Sequence, residues 1–141
     1  MSRSTQHPLE IWHIPAEMDP VVLTQLTSLL STAEQQRAQR AYSEIQLNTF
    51  ISSYAAMRLI LAKQLQEKPA SIAYSYNAHG KPKLDNDRQL FFNLSHTHAY
   101  ALLAVSPTYE IGIDIEIIKS SRDTLAIARR FFTDNEYTWL S

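Results

Sequence analysis

Between residues 46 and 66 the apolar side chains recur at helical spacing. Phe50, Tyr54, Met57, Leu61 and Leu65 fall on one stripe, and no glycine or proline interrupts them. Such a stripe predicts a long amphipathic helix with one buried face. Arg58 borders the stripe, and Pro69 closes the segment. Beyond Pro69 the hydrophobic period changes to two. "SIAYSYN" (71–77), "LFFNLS" (90–95) and "YALLAVS" (100–106) read as short strands. A chain that must cover one long helical stripe with several short strands is expected to fold as α+β.

Ahead of the long helix, "LEIWHI" (9–14) predicts a first strand. Asp19 before Pro20 marks a helix start for "VVLTQLTSLL". Ser31 and Glu34 form an S-x-x-E capping box for a second helix, expected to carry Arg37 and Arg40. Towards the end, "DTLAIARRFF" (123–132) is helical in pattern. Thr133 and Glu136 form another capping box before "YTWLS". The chain stops within that patterned helix, which predicts a continuation.

"EIGIDIEII" (110–118) alternates Ile111, Ile113, Ile115 and Ile117 with Gly112, Asp114 and Glu116. β-Branched residues at period two predict a strand. Asp114 and Glu116 then share one face, about 7 Å apart. Two unit charges at that separation repel by roughly 2 kcal/mol at an effective dielectric of 20. A divalent cation between them reverses the sign, and hard oxygen ligands suit Mg²⁺. The plain alternative is an amphipathic edge strand with two solvated acids.

Two more clusters carry chemistry. In "FFNLSHTHAY" (91–100), Asn93, Ser95, His96 and Thr97 gather at a strand end, where hydroxyls, an imidazole and free N–H groups suit a phosphate. No third nearby His or Cys accompanies the H-x-H spacing, which argues against zinc. In "HGKPKL" (79–84), Gly80 supplies a turn, Lys81 a cation and Pro82 a fixed backbone. Each cluster also has a plain reading as a hydrogen-bonded surface turn.

Composition excludes other classes. With 45 % apolar residues, the 141-residue chain can bury a core. A net charge of −1 supplies no basic field for nucleic acid or an anionic membrane. There is no cysteine, hence no disulfide framework and no thiolate metal site. No apolar stretch reaches the ~20 residues of a membrane span, and the N-terminus lacks a signal-peptide pattern. A soluble, cytoplasmic protein is expected.

In order and spacing, Gly80-Lys81-Pro82, Phe92-Asn93-Leu94-Ser95-His96-Thr97, Ile111-Gly112-Ile113-Asp114-Ile115-Glu116 and Ala128-Arg129-Arg130-Phe131-Phe132…Glu136…Leu140 resemble the Sfp-type (surfactin-synthetase-activating) 4′-phosphopantetheinyl transferases. The resemblance runs from roughly Ser31 to the end. It implies an α+β fold of two similar halves. Residues 1–108 would form the first half, and residues 109–141 would begin the second. It implies Mg²⁺-dependent transfer of 4′-phosphopantetheine from coenzyme A to a serine of an acyl or peptidyl carrier protein, leaving adenosine 3′,5′-bisphosphate. Asp114 and Glu116 would hold Mg²⁺ as the catalytic acids. Lys81, Pro82, Ser95, His96, Arg58 and Arg40 would border coenzyme A, with His96 at its 3′-phosphate.

This sequence departs from the family's pattern in three places. The next motif, W-x-x-K-E, lies beyond the last residue. Thr49 stands where members usually carry arginine, so Arg37 or Arg40 would have to reach the 3′-phosphate. Thr97-His98 replaces the commoner serine and small residue. The alternative to an enzyme is therefore a truncated, non-catalytic remnant that binds coenzyme A or a carrier protein. Apolar surface left uncovered by an incomplete second half would favour self-association. A short enzyme completed by self-association, as in the small trimeric holo-acyl-carrier-protein synthases, would place its metal-binding Asp near the N-terminus, whereas Asp114 is late. A Mg²⁺-dependent phosphohydrolase would use Asp114 and Glu116 without needing the Lys81 and His96 motifs.

Overall fold

A computed structural model of the chain describes residues 9–78, 80–85, 89–118 and 124–140. The expected positions of His79, of Asp123 at a helix start and of Ser141 lie outside them.

Five helices and two antiparallel sheets make the fold α+β among these residues. The central sheet has the order β1-β5-β4, from β1 (Glu10–Pro15), β4 (Phe91–Thr97) and β5 (Tyr100–Ser106). Its strands sit next to their neighbours in register, Trp12 opposite Leu103 and Ser95 opposite Leu102. A separate hairpin pairs β2 (Tyr74–Tyr76) with β3 (Pro82–Leu84).

The long helix is α3 (Glu44–Leu65). It begins two residues before the sequence pattern, because Ser43 Oγ accepts the Gln46 N–H and caps it. It packs against all three strands of the central sheet. Met57 and Leu61 from its stripe, with Ala101 and Leu103 from β5, are wholly buried in the core; Phe50 and Leu65 are partly buried at its margin. Helix α1 (Pro20–Leu29) lies against α3, started as expected by Asp19, whose carboxylate accepts the Val21 N–H at 2.8 Å. In α2 (Thr32–Ala38) both bonds of the capping box form: Ser31 Oγ accepts from Glu34 N, and Glu34 Oε2 accepts from Ser31 N at 2.7 Å. Arg37 is on that helix, but Arg40 lies beyond its end, in a turn. The Arg37 guanidinium sits among the rings of Phe50, Tyr54 and Tyr76 and donates to both tyrosine hydroxyls, tying α2 to α3 and β2.

Strands β4 and β5 are joined by His98 and Ala99, with His98 at φ +32°. Thr49 Oγ1 lies 2.6 Å from the His98 carbonyl oxygen and 2.7 Å from that of Ile45, so the tight turn is fastened to α3. Helices α4 (Thr124–Phe131) and α5 (Asp134–Leu140) pack on each other. They expose Phe131, Trp139 and Leu140, and Phe132 between them is exposed too.

One expectation fails here. Residues 110–118 belong to neither sheet among the described residues. Their alternation survives as sidedness: Ile111, Ile113 and Ile115 are partly buried, while Gly112, Asp114 and Glu116 are exposed. The missing ladder has a physical cause, which is the way the segment is held at the candidate site.

Candidate functional site

The site is built along the segment from Glu110 to Glu116. On β4, Phe92 and Leu94 pack into the core beneath α3. Alternation on a strand then turns Asn93 and Ser95 to the other face. The segment lies on that side. Asn93 Oδ1 accepts the Ile113 N–H at 2.7 Å, and Ser95 Oγ accepts the Ile115 N–H at 3.2 Å. Side chains of β4, not its backbone, supply these acceptors, so the ladder of a true strand does not form.

Ser95 also faces an acid. Its hydroxyl donates to Asp114 Oδ1 at 2.9 Å, an oxygen that accepts the Ile115 N–H at 2.9 Å as well. With Oδ1 so occupied, Oδ2 is the oxygen of Asp114 left for another partner. The Glu116 carboxylate is exposed two residues on, in step with the alternating burial of residues 111–116.

The hairpin β2–β3 brings in the next residues. Gly80 at φ +76° occupies the left-handed region that side chains resist, as the turn requires. Asn77 closes the turn: its backbone carbonyl accepts from Gly80 N, and its Oδ1 from Lys81 N, both at 2.9 Å. Lys81 is thereby aimed at the segment, and its Nζ donates to the Ile111 carbonyl at 3.1 Å. Lys81 and Pro82 line a cavity of about 270 Å³ with Phe91, Phe92, Glu110 and Ile111. Aromatic and aliphatic walls with a cation at the rim suit a flat, anionic ligand such as a nucleotide.

The structure thus brings Lys81, Pro82, Ser95, Asp114 and Glu116 together along one segment. His96 is exposed near the end of β4, on the side opposite Ser95 by strand alternation. Arg58 is placed elsewhere. It is buried, with Nε bonded to Glu34 Oε2 at 2.7 Å and NH1 bonded to the carbonyls of Pro69 and Ile72. Arg40 has no side-chain hydrogen bond to a described residue. The sequence places Asn93 in the phosphate cluster with Ser95 but does not reveal its hold on the 110–118 segment, and Phe91 and Asn77 carry no such signal. The signal for Asn93 was its spacing of two from Ser95 on one strand face.

The donor set fits Mg²⁺, which commonly takes one or two carboxylates and completes its shell with water and substrate phosphates. Among the described residues no cluster of three or more His, Cys, Asp or Glu could hold a metal ion by itself. None of the helices described is long and apolar enough to cross a membrane.

No family model matches the chain. Curated proteins do. The chain is 35 % identical over 135 residues to the 4′-phosphopantetheinyl transferase HetI of Nostoc sp., covering 94 % of this chain and 57 % of the relative. It is 33 % identical over 129 residues to a putative 4′-phosphopantetheinyl transferase of Synechocystis sp., covering 90 % and 52 %. It is 29 % identical over 111 residues to the 4′-phosphopantetheinyl transferase Sfp of Bacillus subtilis, covering 79 % and 48 %. The chain spans about half the length of the relatives it matches. Its curated homologues, as named, are 4′-phosphopantetheinyl transferases.

Proposed function

We propose that this chain carries the first half, and the opening of the second, of a 4′-phosphopantetheinyl transferase. The reaction is transfer of 4′-phosphopantetheine from coenzyme A to a serine of an acyl or peptidyl carrier protein. The observation that carries the reading is the placement of Lys81, Pro82, Ser95, Asp114 and Glu116 along one segment, beside a cavity of nucleotide character. In this reading residues 1–108 are the first α+β half and residues 109–141 open the second, and the protein works in the cytoplasm.

Each residue has a task. The walls formed by Pro82 and Phe91 take the adenine, and Lys81 exchanges its bond to the Ile111 carbonyl for a phosphate. Asp114 and Glu116 hold Mg²⁺. When bound there, the ion offsets charge developing on the departing adenosine 3′,5′-bisphosphate. The carrier serine oxygen bonds to the phosphorus that bears pantetheine, the bond from that phosphorus to the bridging oxygen breaks, and the serine proton passes to a base. Ser95 keeps Asp114 oriented throughout.

A second reading, coenzyme A or carrier binding without transfer, is favoured by the lack, among the described residues, of any group of three or more metal-ligating side chains. The exposed apolar side chains of α4 and α5 support self-association, read by light scattering. Calorimetry of coenzyme A with and without Mg²⁺, on wild type and Asp114→Ala, tests the site. Mg²⁺ should tighten binding to the wild type alone, and equal tightening in both overturns the assignment. Mass spectrometry of an apo-carrier protein then separates the readings. Gain of a phosphopantetheinyl group means transfer, and binding without gain means the remnant.

A further inference from the structure

Asn93 makes the shortest bond that holds the acidic segment. Its Oδ1 accepts the Ile113 N–H at 2.7 Å and would lie 3.9 Å from a Cβ at Gly112, so it sits against the backbone itself. The remaining holds fall two residues to either side: Lys81 Nζ on the Ile111 carbonyl, and Ser95 Oγ on the Ile115 N–H. These three bonds engage the backbone of odd-numbered residues, while Gly112, Asp114 and Glu116 are exposed, Asp114 with its Oδ1 accepting from Ser95 Oγ.

We propose that Asn93 is a positioning residue, fixing the phase of the segment against β4 and so the direction in which Asp114 and Glu116 are presented. A slip of one residue would move both acids to the covered positions now held by isoleucines and expose those isoleucines. Elsewhere in a sheet a ladder prevents such a slip, but none joins this segment to the described residues. Ser95 is the weaker guard, because its 3.2 Å bond is long and its proton serves Asp114. Lys81 holds through a flexible stem. A neutral amide suits the position, since it accepts a hydrogen bond without placing a third negative charge beside the two acids. The consequence for metal binding rests on the Mg²⁺ reading above; the hold on Ile113 does not.

The test uses the full chain with Mn²⁺ as probe. Amide hydrogen exchange is followed residue by residue, and Mn²⁺ is titrated by its paramagnetic broadening of the Asp114 and Glu116 amides. Asn93→Ala should speed exchange at Ile113 about tenfold, as expected for one lost hydrogen bond, while Leu103 in β5 keeps its protection. Asn93→Asp retains the acceptor and should restore protection at Ile113. Asn93→Ala should also weaken Mn²⁺ binding about tenfold, the usual effect of releasing a group that orients a metal ligand. Unchanged exchange at Ile113 overturns the proposal, and so does equal acceleration at Leu103, which marks general loosening. Faster exchange at Ile113 with undiminished Mn²⁺ affinity overturns the claim on the acids. If Mn²⁺ does not bind the wild type, the metal reading fails, and the exchange arm still decides the role of Asn93.

Discussion

Arg58 Nε donates to Glu34 Oε2 at 2.7 Å, with the two side chains 5 % and 2 % exposed. The same Glu34 oxygen accepts the Ser31 N–H, so the capping box of α2 and the middle of α3 share one carboxylate. Arg58 NH1 reaches on to the carbonyls of Pro69 and Ile72, and the guanidinium lies over the Tyr74 ring. The pair therefore joins α2, α3 and the entry to β2.

Removing one partner of a buried pair leaves an uncompensated charge, at a cost of about 3–5 kcal/mol. Arg58→Ala should lose that much in urea denaturation. The double variant Arg58→Met, Glu34→Leu should recover part of it, since the uncompensated charge is gone while the Ser31 N–H and the Pro69 and Ile72 carbonyls lose their partners. Loss of coenzyme A binding in Arg58→Ala with an unchanged unfolding midpoint would instead place Arg58 at the ligand.

Tyr74 stands beside this pair with its hydroxyl buried and unbonded among the described residues. Burial pushes that hydroxyl well above its ordinary value, against the opposing pull of Arg58. A raised folded value means stability that is complete below about pH 10 and lost as pH climbs beyond it. Tyr74→Phe should weaken this alkaline loss without abolishing it, because burial raises Tyr54 too. At neutral pH the variant should match the wild type or exceed it by up to about 1 kcal/mol, an unmet hydroxyl having been removed. A melting temperature lowered at neutral pH, with the alkaline response intact, contradicts this.

Local chemistry was the legible part of the sequence. Asp19, Ser31 with Glu34, and Thr133 with Glu136 announce helix starts because a cap acts over three residues, and all three form. The α3 stripe and the β4 and β5 runs follow from period alone. The segment at 110–118 was misread because alternation reports which side is covered, not what the backbone bonds to. Its partners are the Asn93 and Ser95 side chains, twenty residues away. The burial of Arg58 is hidden from the sequence for a similar reason. The stripe places it at a border, but Glu34, the partner that draws it inside, is 24 residues distant. Strand β3, at three residues, is too short to show a period.

Glu136 gives an acid-side prediction. Its Oε2 accepts the Thr133 N–H at 2.9 Å and the Thr133 hydroxyl at 2.8 Å. These bonds, the backbone one first, hold its carboxyl below the usual 4.5. A depressed folded value means support for the start of α5 that is present above 4.5 and lost as pH falls through the folded value. The Thr133 amide resonance should report that loss, and Glu136→Gln should remove the transition. The same transition in the variant would show that Glu136 is not its source.

The last prediction separates His96 from Ser95. They are neighbours on β4 but point to opposite faces, so they cannot share one phosphate oxygen in the way that adjacent motif letters suggest. Ser95 already serves Asp114, and its loss should disturb the acid whatever nucleotide is offered. His96 is exposed and makes no side-chain hydrogen bond to a described residue, which leaves it free for the 3′-phosphate that coenzyme A has and dephospho-coenzyme A lacks. A hydrogen bond to a charged group contributes about 1.5–3 kcal/mol. His96→Ala should therefore weaken coenzyme A about tenfold to a hundredfold while leaving dephospho-coenzyme A nearly unchanged, whereas Ser95→Ala should weaken the Mg²⁺-dependent part of binding for both. Titration of both ligands against both variants checks this. Equal losses for the two ligands in His96→Ala, with a lowered melting temperature, would make His96 part of the turn rather than of the phosphate site.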